Sequence, residues 1–98
     1  MSVIAELSIF PLDKGESVSP YVARALGVIR DSGLPHALGP MGTCIEGDYD
    51  PVMAVVRGCV EALRPDCRRI IVNLKLDIRQ GRAGGLAAKP ASVLEKLG

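Results

Sequence analysis

The sequence predicts an α+β domain of ferredoxin-like β-α-β-β-α-β order: a four-stranded antiparallel sheet with two helices packed on one face. Three patterns carry that prediction. Residues 3–10 and 69–79 alternate apolar and polar side chains with the period of a strand, and two apolar stripes between them recur at helical spacing, each opening on a proline. A pair of short extended runs sits between the helices, which completes the order.

The first strand places Val3, Ala5, Leu7 and Ile9 on one face and Ile4, Glu6, Ser8 and Phe10 on the other. Residues 11–15, Pro-Leu-Asp-Lys-Gly, are turn chemistry. A helix follows, with Ser19 as the expected cap, Pro20 at the first helical position, and Val18, Val22, Ala25, Leu26 and Ile29 as its apolar stripe. Gly33 and Pro35 end it.

Residues 36–41 and 43–46 read as two short strands turning around Gly42, closed by Gly47 and Asp48. Asp50 and Pro51 announce the second helix, whose stripe is Val52, Val55, Val56, Cys59, Val60 and Leu63, and Pro65 stops it. The last strand sets Ile70, Val72, Leu74, Leu76 and Ile78 against Ile71, Asn73, Lys75, Asp77 and Arg79. Residues 81–85 read as a flexible run, and residues 90–97 as a short helical segment docked by Val93, Leu94 and Leu97.

Composition bounds the function. A chain of 98 residues, 48% hydrophobic and 23% charged, is one domain over residues 1–98 with a core small enough to gain from self-association. A net charge of +1 with interleaved signs and no Trp argues against nucleic acid or an anionic membrane as partner. No apolar run approaches the length of a membrane helix and Glu6 interrupts any signal-like segment, so the expected location is cytoplasmic. Cys44, Cys59 and Cys67 form no C-x-x-C pair, and with His36 they make no recognisable metal or nucleophilic constellation. Residues 81–85 lack the context of a phosphate-binding loop. The acylphosphatase-like alternative also fails, because residues 13–16 supply neither the Arg nor the catalytic Asn that chemistry needs. The sequence therefore predicts no enzyme, no metal and no resident cofactor.

Two helices cover one sheet face, which leaves Glu6, Ser8, Phe10, Asn73, Lys75, Asp77 and Arg79 on the other. Two readings stay open for that face. It is either wetted and held by cross-strand ion pairs such as Glu6 with Lys75, or sheltered by a second subunit that encloses a polar pocket. Ile4, Phe10 and Ile71 favour shelter.

Five stretches, E-L-S-I-F-P at residues 6–11, S-V-S at 17–19, G-P-M-G-T at 39–43, E-G at 46–47 and K-L-D-I-R at 75–79, resemble the small MTH1187/YkoF-like thiamine-binding proteins. The resemblance spans nearly the whole chain. It implies a homodimer or homotetramer that binds thiamine or its hydroxymethylpyrimidine moiety without a reaction. An aminopyrimidine offers an amino donor and ring-nitrogen acceptors, which Thr43 and Glu46 could meet, although residues three apart share a face only if the strand is bulged. Glu6 or Asp77 could attract a thiazolium cation, and Phe10 could add a cation–π surface. Ser8, Asn73 and Lys75 complete the expected ligand set, while Ser17 and Ser19 could hold an anion at the helix start. The competing function is a regulatory or structural oligomer acting through protein contacts.

Overall fold

In the computed structural model, which describes residues 2–81 and 84–98, seven elements follow in order. They are β1 (Ser2–Pro11), α1 (Ser19–Asp31), β2 (His36–Leu38), β3 (Thr43–Asp48), α2 (Tyr49–Leu63), β4 (Ile70–Arg79) and α3 (Gly85–Leu97). The four strands form one antiparallel sheet in the order β2-β3-β1-β4. This is the predicted α+β arrangement, with a third helix added.

The alternation in β1 does what its period requires. Val3, Ala5, Leu7 and Ile9 are buried in one cluster with Ile45 of β3, Ala25 and Ile29 of α1, and Val52, Val55, Val56, Cys59 and Leu63 of α2. Burying a side chain of that size contributes about 1.5–3 kcal/mol, so these positions hold both helices to the sheet. On β4 the same face is less well covered than the sequence suggests. Ile70, Leu74 and Leu76 pack against the cluster, but Val72 and Ile78 stay 39% and 48% exposed. β4 is the sheet's edge, and two helices centred over β1 and β3 do not reach across it.

Local signals shift by one or two residues. Ser19 does not cap α1: it is the first helical residue, Val18 precedes it, and no side chain caps that end. α2 starts from Asp48 rather than Asp50, again without a side-chain cap. Pro20 is then the second residue of α1 and Pro51 the third of α2, both in the first turn, where a missing N–H breaks no intrahelical hydrogen bond. Gly33, at φ +76°, takes the left-handed conformation that ends α1. β2 stops at Leu38 because Pro40 has no N–H for a ladder, and Gly39 N–H donates to the Gly42 carbonyl at 2.8 Å to close the turn.

α3 is longer than residues 90–97 and docks differently. Gly85, read as flexible, already belongs to the helix, while Arg82 and Ala83 of that run lie outside the described residues. Val93, Leu94 and Leu97 do not dock it; all three are exposed. The helix is held at its first turns instead. Gly85 lies against Ile4, where an added Cβ would meet Ile4 Cδ1 at 2.7 Å, and Lys89 Nζ pairs with Asp77 at 2.5 Å. α3 therefore covers one end of the sheet face that α1 and α2 leave open.

Candidate functional site

The register fixes which side each candidate faces. β3 pairs with β1 without interruption from Ser2↔Asp48 to Leu7↔Thr43, so there is no bulge between Thr43 and Glu46. The two side chains point to opposite faces. Thr43 lies on the helix side, opposite Leu7, and Glu46 on the outer side, opposite Ile4. Glu46, 9% exposed, is occupied as well: its Oε2 accepts the backbone N–H of Leu86 at 3.3 Å. A single heterocycle cannot be shared by these two residues as the expected pairing required.

The end of β3 creates a different site. Pairing stops at Leu7↔Thr43 while β1 runs on to Pro11 against β4 alone, so from Ser8 onward one edge of β1 has no neighbouring strand. A cavity of about 350 Å³ opens there between that edge, Val18 and the apolar side of α1 that follows it (Val22, Leu26), and the turn from Leu38 to Thr43. Its lining is mostly apolar, and volumes of this order suit small ligands. Thr43, 6% exposed, gives it a hydroxyl that no other described residue engages, and the bare edge of β1 adds backbone groups. Gly42 lets the turn approach this edge: an added Cβ would lie 3.0 Å from the Leu7 carbonyl oxygen, which cannot move aside.

The outer face beside this opening is polar. Glu6, Ser8, Met41, Asn73 and Lys75 line a cleft of about 190 Å³, and Glu6 and Lys75 continue with Ile4, Cys44, Asp77 and Lys89 into a second of about 240 Å³. Glu6 and Lys75 are register partners, but no ion pair joins them; the predicted bridge is not formed. Asp77 pairs with Lys89 of α3 instead. Ser8 and Met41 line both the edge cavity and the first polar cleft, so the two adjoin at these residues.

Of the candidates read from sequence, Ser8, Phe10 and Thr43 therefore line the edge cavity, while Glu6, Asn73 and Lys75 line the adjoining polar cleft, which shares Ser8 with it. Asp77 lies farther along the face, and Glu46 belongs to the docking of α3. Ser17 and Ser19 are exposed at the start of α1 and do not line the cavity, although Val18 between them does. Leu38, Met41, Val22 and Leu26 were not singled out by sequence as ligand contacts. For Val22 and Leu26 the signal was the apolar stripe of α1, which looks the same whether it lines a core or a cavity, while Leu38 and Met41 lie at the end of β2 and in the turn after it. His36 is exposed, with Nδ1 2.9 Å from the Leu34 carbonyl oxygen, and no cluster of metal-ligating side chains occurs among the described residues.

Every residue that lines the edge cavity and the first polar cleft falls between residues 6 and 75. The sequence profile of a family described as thiamine-binding protein matches residues 5–94. The chain belongs to the thiamine-binding protein family. A UPF0045 protein of Mycobacterium bovis is 43% identical over 94 residues, covering 95% of this chain and 92% of its own. A Methanocaldococcus jannaschii relative of the same UPF0045 group has a crystal structure that superposes with a TM-score of 0.88 at 34% identity, covering 96% of this chain and 97% of its own. A Thermotoga maritima protein assigned to thiamine biosynthesis or salvage shares the fold, with a TM-score of 0.80 at 20% identity over 93% of this chain and 99% of that one. No helix among the described residues of this thiamine-binding family member is long and apolar enough to cross a membrane.

Proposed function

We propose that this chain binds thiamine or a related hydroxymethylpyrimidine compound, without converting it, in the cavity at the open edge of β1. The observation that carries the reading is an apolar cavity holding one unengaged hydroxyl, Thr43, beside a polar cleft that shares Ser8 and Met41 with it and holds an unpaired carboxylate, Glu6. The two halves of the ligand ask for those two environments. A neutral aminopyrimidine gains from burial against Val22, Leu26 and Phe10 and can exchange hydrogen bonds with Thr43 and the bare strand edge, much as a pairing strand would. A thiazolium cation does better in the polar cleft, where Glu6 supplies charge. Ser8, Asn73 and Lys75 are in position for the hydroxyethyl end, and Asp77 extends the polar surface.

Binding in place of turnover accords with the family's description. The polar cleft is shallow in one subunit, and a homodimer or homotetramer in which a second copy covers the outer face would shelter it from solvent; this chain's soluble, cytoplasmic role as a carrier, buffer or sensor follows from the same reading.

Calorimetric titration separates the two halves of the site. Thr43→Val should weaken thiamine and hydroxymethylpyrimidine alike, by about tenfold for one lost hydrogen bond in a desolvated setting. Glu6→Gln should weaken thiamine while leaving hydroxymethylpyrimidine unchanged. Absence of micromolar binding by either compound to the native chain would dispose of the reading.

A further inference from the structure

The backbone groups on the open edge of β1 can be named. Along a strand the N–H and C=O of one residue point to the same side, and successive residues alternate. Two contacts fix the phase in β1. Leu12 N–H donates to the Arg69 carbonyl at 2.9 Å, which turns the even-numbered residues toward β4, and the Leu7 carbonyl oxygen faces the turn before β3, 3.0 Å from where a Gly42 Cβ would lie. The odd-numbered residues therefore face β3. The ladder with β3 ends at Leu7↔Thr43, so Ile9 is the first residue whose backbone turns toward the cavity with no strand to meet it. No described residue hydrogen-bonds to its N–H or its C=O. Ile9 is 6% exposed, and buried backbone groups are almost always paired, so this donor and acceptor together mark a place for a ligand.

We infer that the Ile9 backbone reads one edge of a flat heterocycle, a ring nitrogen beside an exocyclic amino group: the Ile9 N–H donates to the ring nitrogen, and the amino group donates to the Ile9 carbonyl. This rests on the proposal that the cavity holds an aminopyrimidine, and it names the feature of that ligand which the chain selects. In extended backbone the donor and acceptor of one residue stand side by side and point the same way, as do the acceptor and donor of that edge. The geometry favours a small ring over an added peptide strand. Pro11, the next residue facing this way, has no N–H, so an incoming strand would find one donor only, and the turn from Leu38 to Thr43 walls the cavity on that side. Val22 and Leu26 supply apolar surface for the ring. The Ile9 side chain takes no part in the recognition, because it packs in the core.

The test varies the ligand and leaves residue 9 intact. Hydroxymethylpyrimidine should bind about tenfold or more tighter than its analogue with hydrogen in place of the amino group, because the analogue leaves the Ile9 carbonyl buried and unpaired. As hydroxymethylpyrimidine is titrated in, the Ile9 amide resonance should shift and its exchange with solvent should slow. In Thr43→Val the loss on removing the amino group should persist. Equal affinity for parent and analogue, or an unmoved Ile9 amide with the parent bound, overturns the inference and leaves aminopyrimidine binding standing. A loss that vanishes in Thr43→Val overturns it too, by assigning the amino group to the Thr43 hydroxyl. If the parent compound does not bind at all, the ligand assignment itself falls and takes the inference with it.

Discussion

Glu46 Oε2 accepts the backbone N–H of Leu86 at 3.3 Å, a contact between residues 40 apart that ties β3 to the first turn of α3. A carboxylate at a helix N-terminus satisfies an amide that has no partner within the helix and lies at the positive end of its dipole. Gly84, left-handed at φ +73°, turns the chain into this position without offering a side-chain cap of its own. Glu46 therefore does for α3 what a local capping residue does elsewhere.

Replacing Glu46 by Ala should free the start of α3 at a cost of about 1–2 kcal/mol, from the lost charge-assisted hydrogen bond and dipole contact. Glu46→Gln, which keeps an acceptor and loses the charge, should cost about half as much. Urea unfolding gives the stability change and amide exchange at Leu86 localises it. Neither variant should alter binding in the edge cavity, since Glu46 faces the other side of the sheet from Thr43. Unchanged exchange at Leu86 in Glu46→Ala would mean that the cap is not formed in solution.

Acid should destabilise the fold through two aspartates. The Asp13 carboxylate is held below its ordinary value of 3.8 first by the Arg68 backbone N–H at 2.8 Å, aided by that of Arg69. Asp66 is lowered mainly by its side-chain hydrogen bond from Arg24, at 2.7 Å. A carboxyl whose folded value is depressed contributes stability that is complete above the unfolded value and lost as pH falls through the folded one. Thermal melts should therefore hold steady down to about pH 4 and fall below it. Asp13→Asn combined with Asp66→Asn should flatten that fall and lower stability at neutral pH; an unchanged acid limb in the double variant contradicts the assignment. Both groups are exposed, so added salt should reduce the Asp66 contribution.

The three thiols should differ in reactivity. Cys59 lies at the centre of the core, and burial pushes its pKa up to about 11; its Sγ is 3.5 Å from the Ala25 carbonyl oxygen. Burial also raises Cys67, while Cys44 is half-buried on the outer face. Thiolate is the reactive form, so a thiol reagent at neutral pH should label Cys44 first and reach Cys59 only when the protein unfolds. Mass spectrometry of partially labelled protein decides it, and early labelling of Cys59 would mean that the core opens readily. A second copy packed over the outer face should in turn slow Cys44.

Part of the site was open to inspection in the chain itself. The period-2 alternation of β1 assigns Glu6, Ser8 and Phe10 to one face before any partner strand is known, and Thr43 entered through the family resemblance of residues 39–43 and the hydroxyl that an aminopyrimidine would use. The cavity was not. It exists because β3 ends opposite Leu7 whereas β1 continues to Pro11, a difference in pairing length between strands more than thirty residues apart in sequence. Nor did any local pattern tell Val22 and Leu26, which line that opening, from Val55 and Val56, which are buried in the core and do not line it.

By itself the sequence determined the order of elements, the inward faces of β1, α1 and α2, and the points where prolines and glycines stop the helices. These are properties of residues within one turn or one pleat of each other, where sterics and periodicity act. Tertiary structure alone decided that Glu46 caps a distant helix, that Lys75 stands in register with Glu6 without pairing to it, that Val72 and Ile78 lie beyond the reach of the helices, and that a cavity remains where β3 stops. Each of those depends on the distance between segments that the chain does not place side by side, and side-chain chemistry alone carries no measure of that distance.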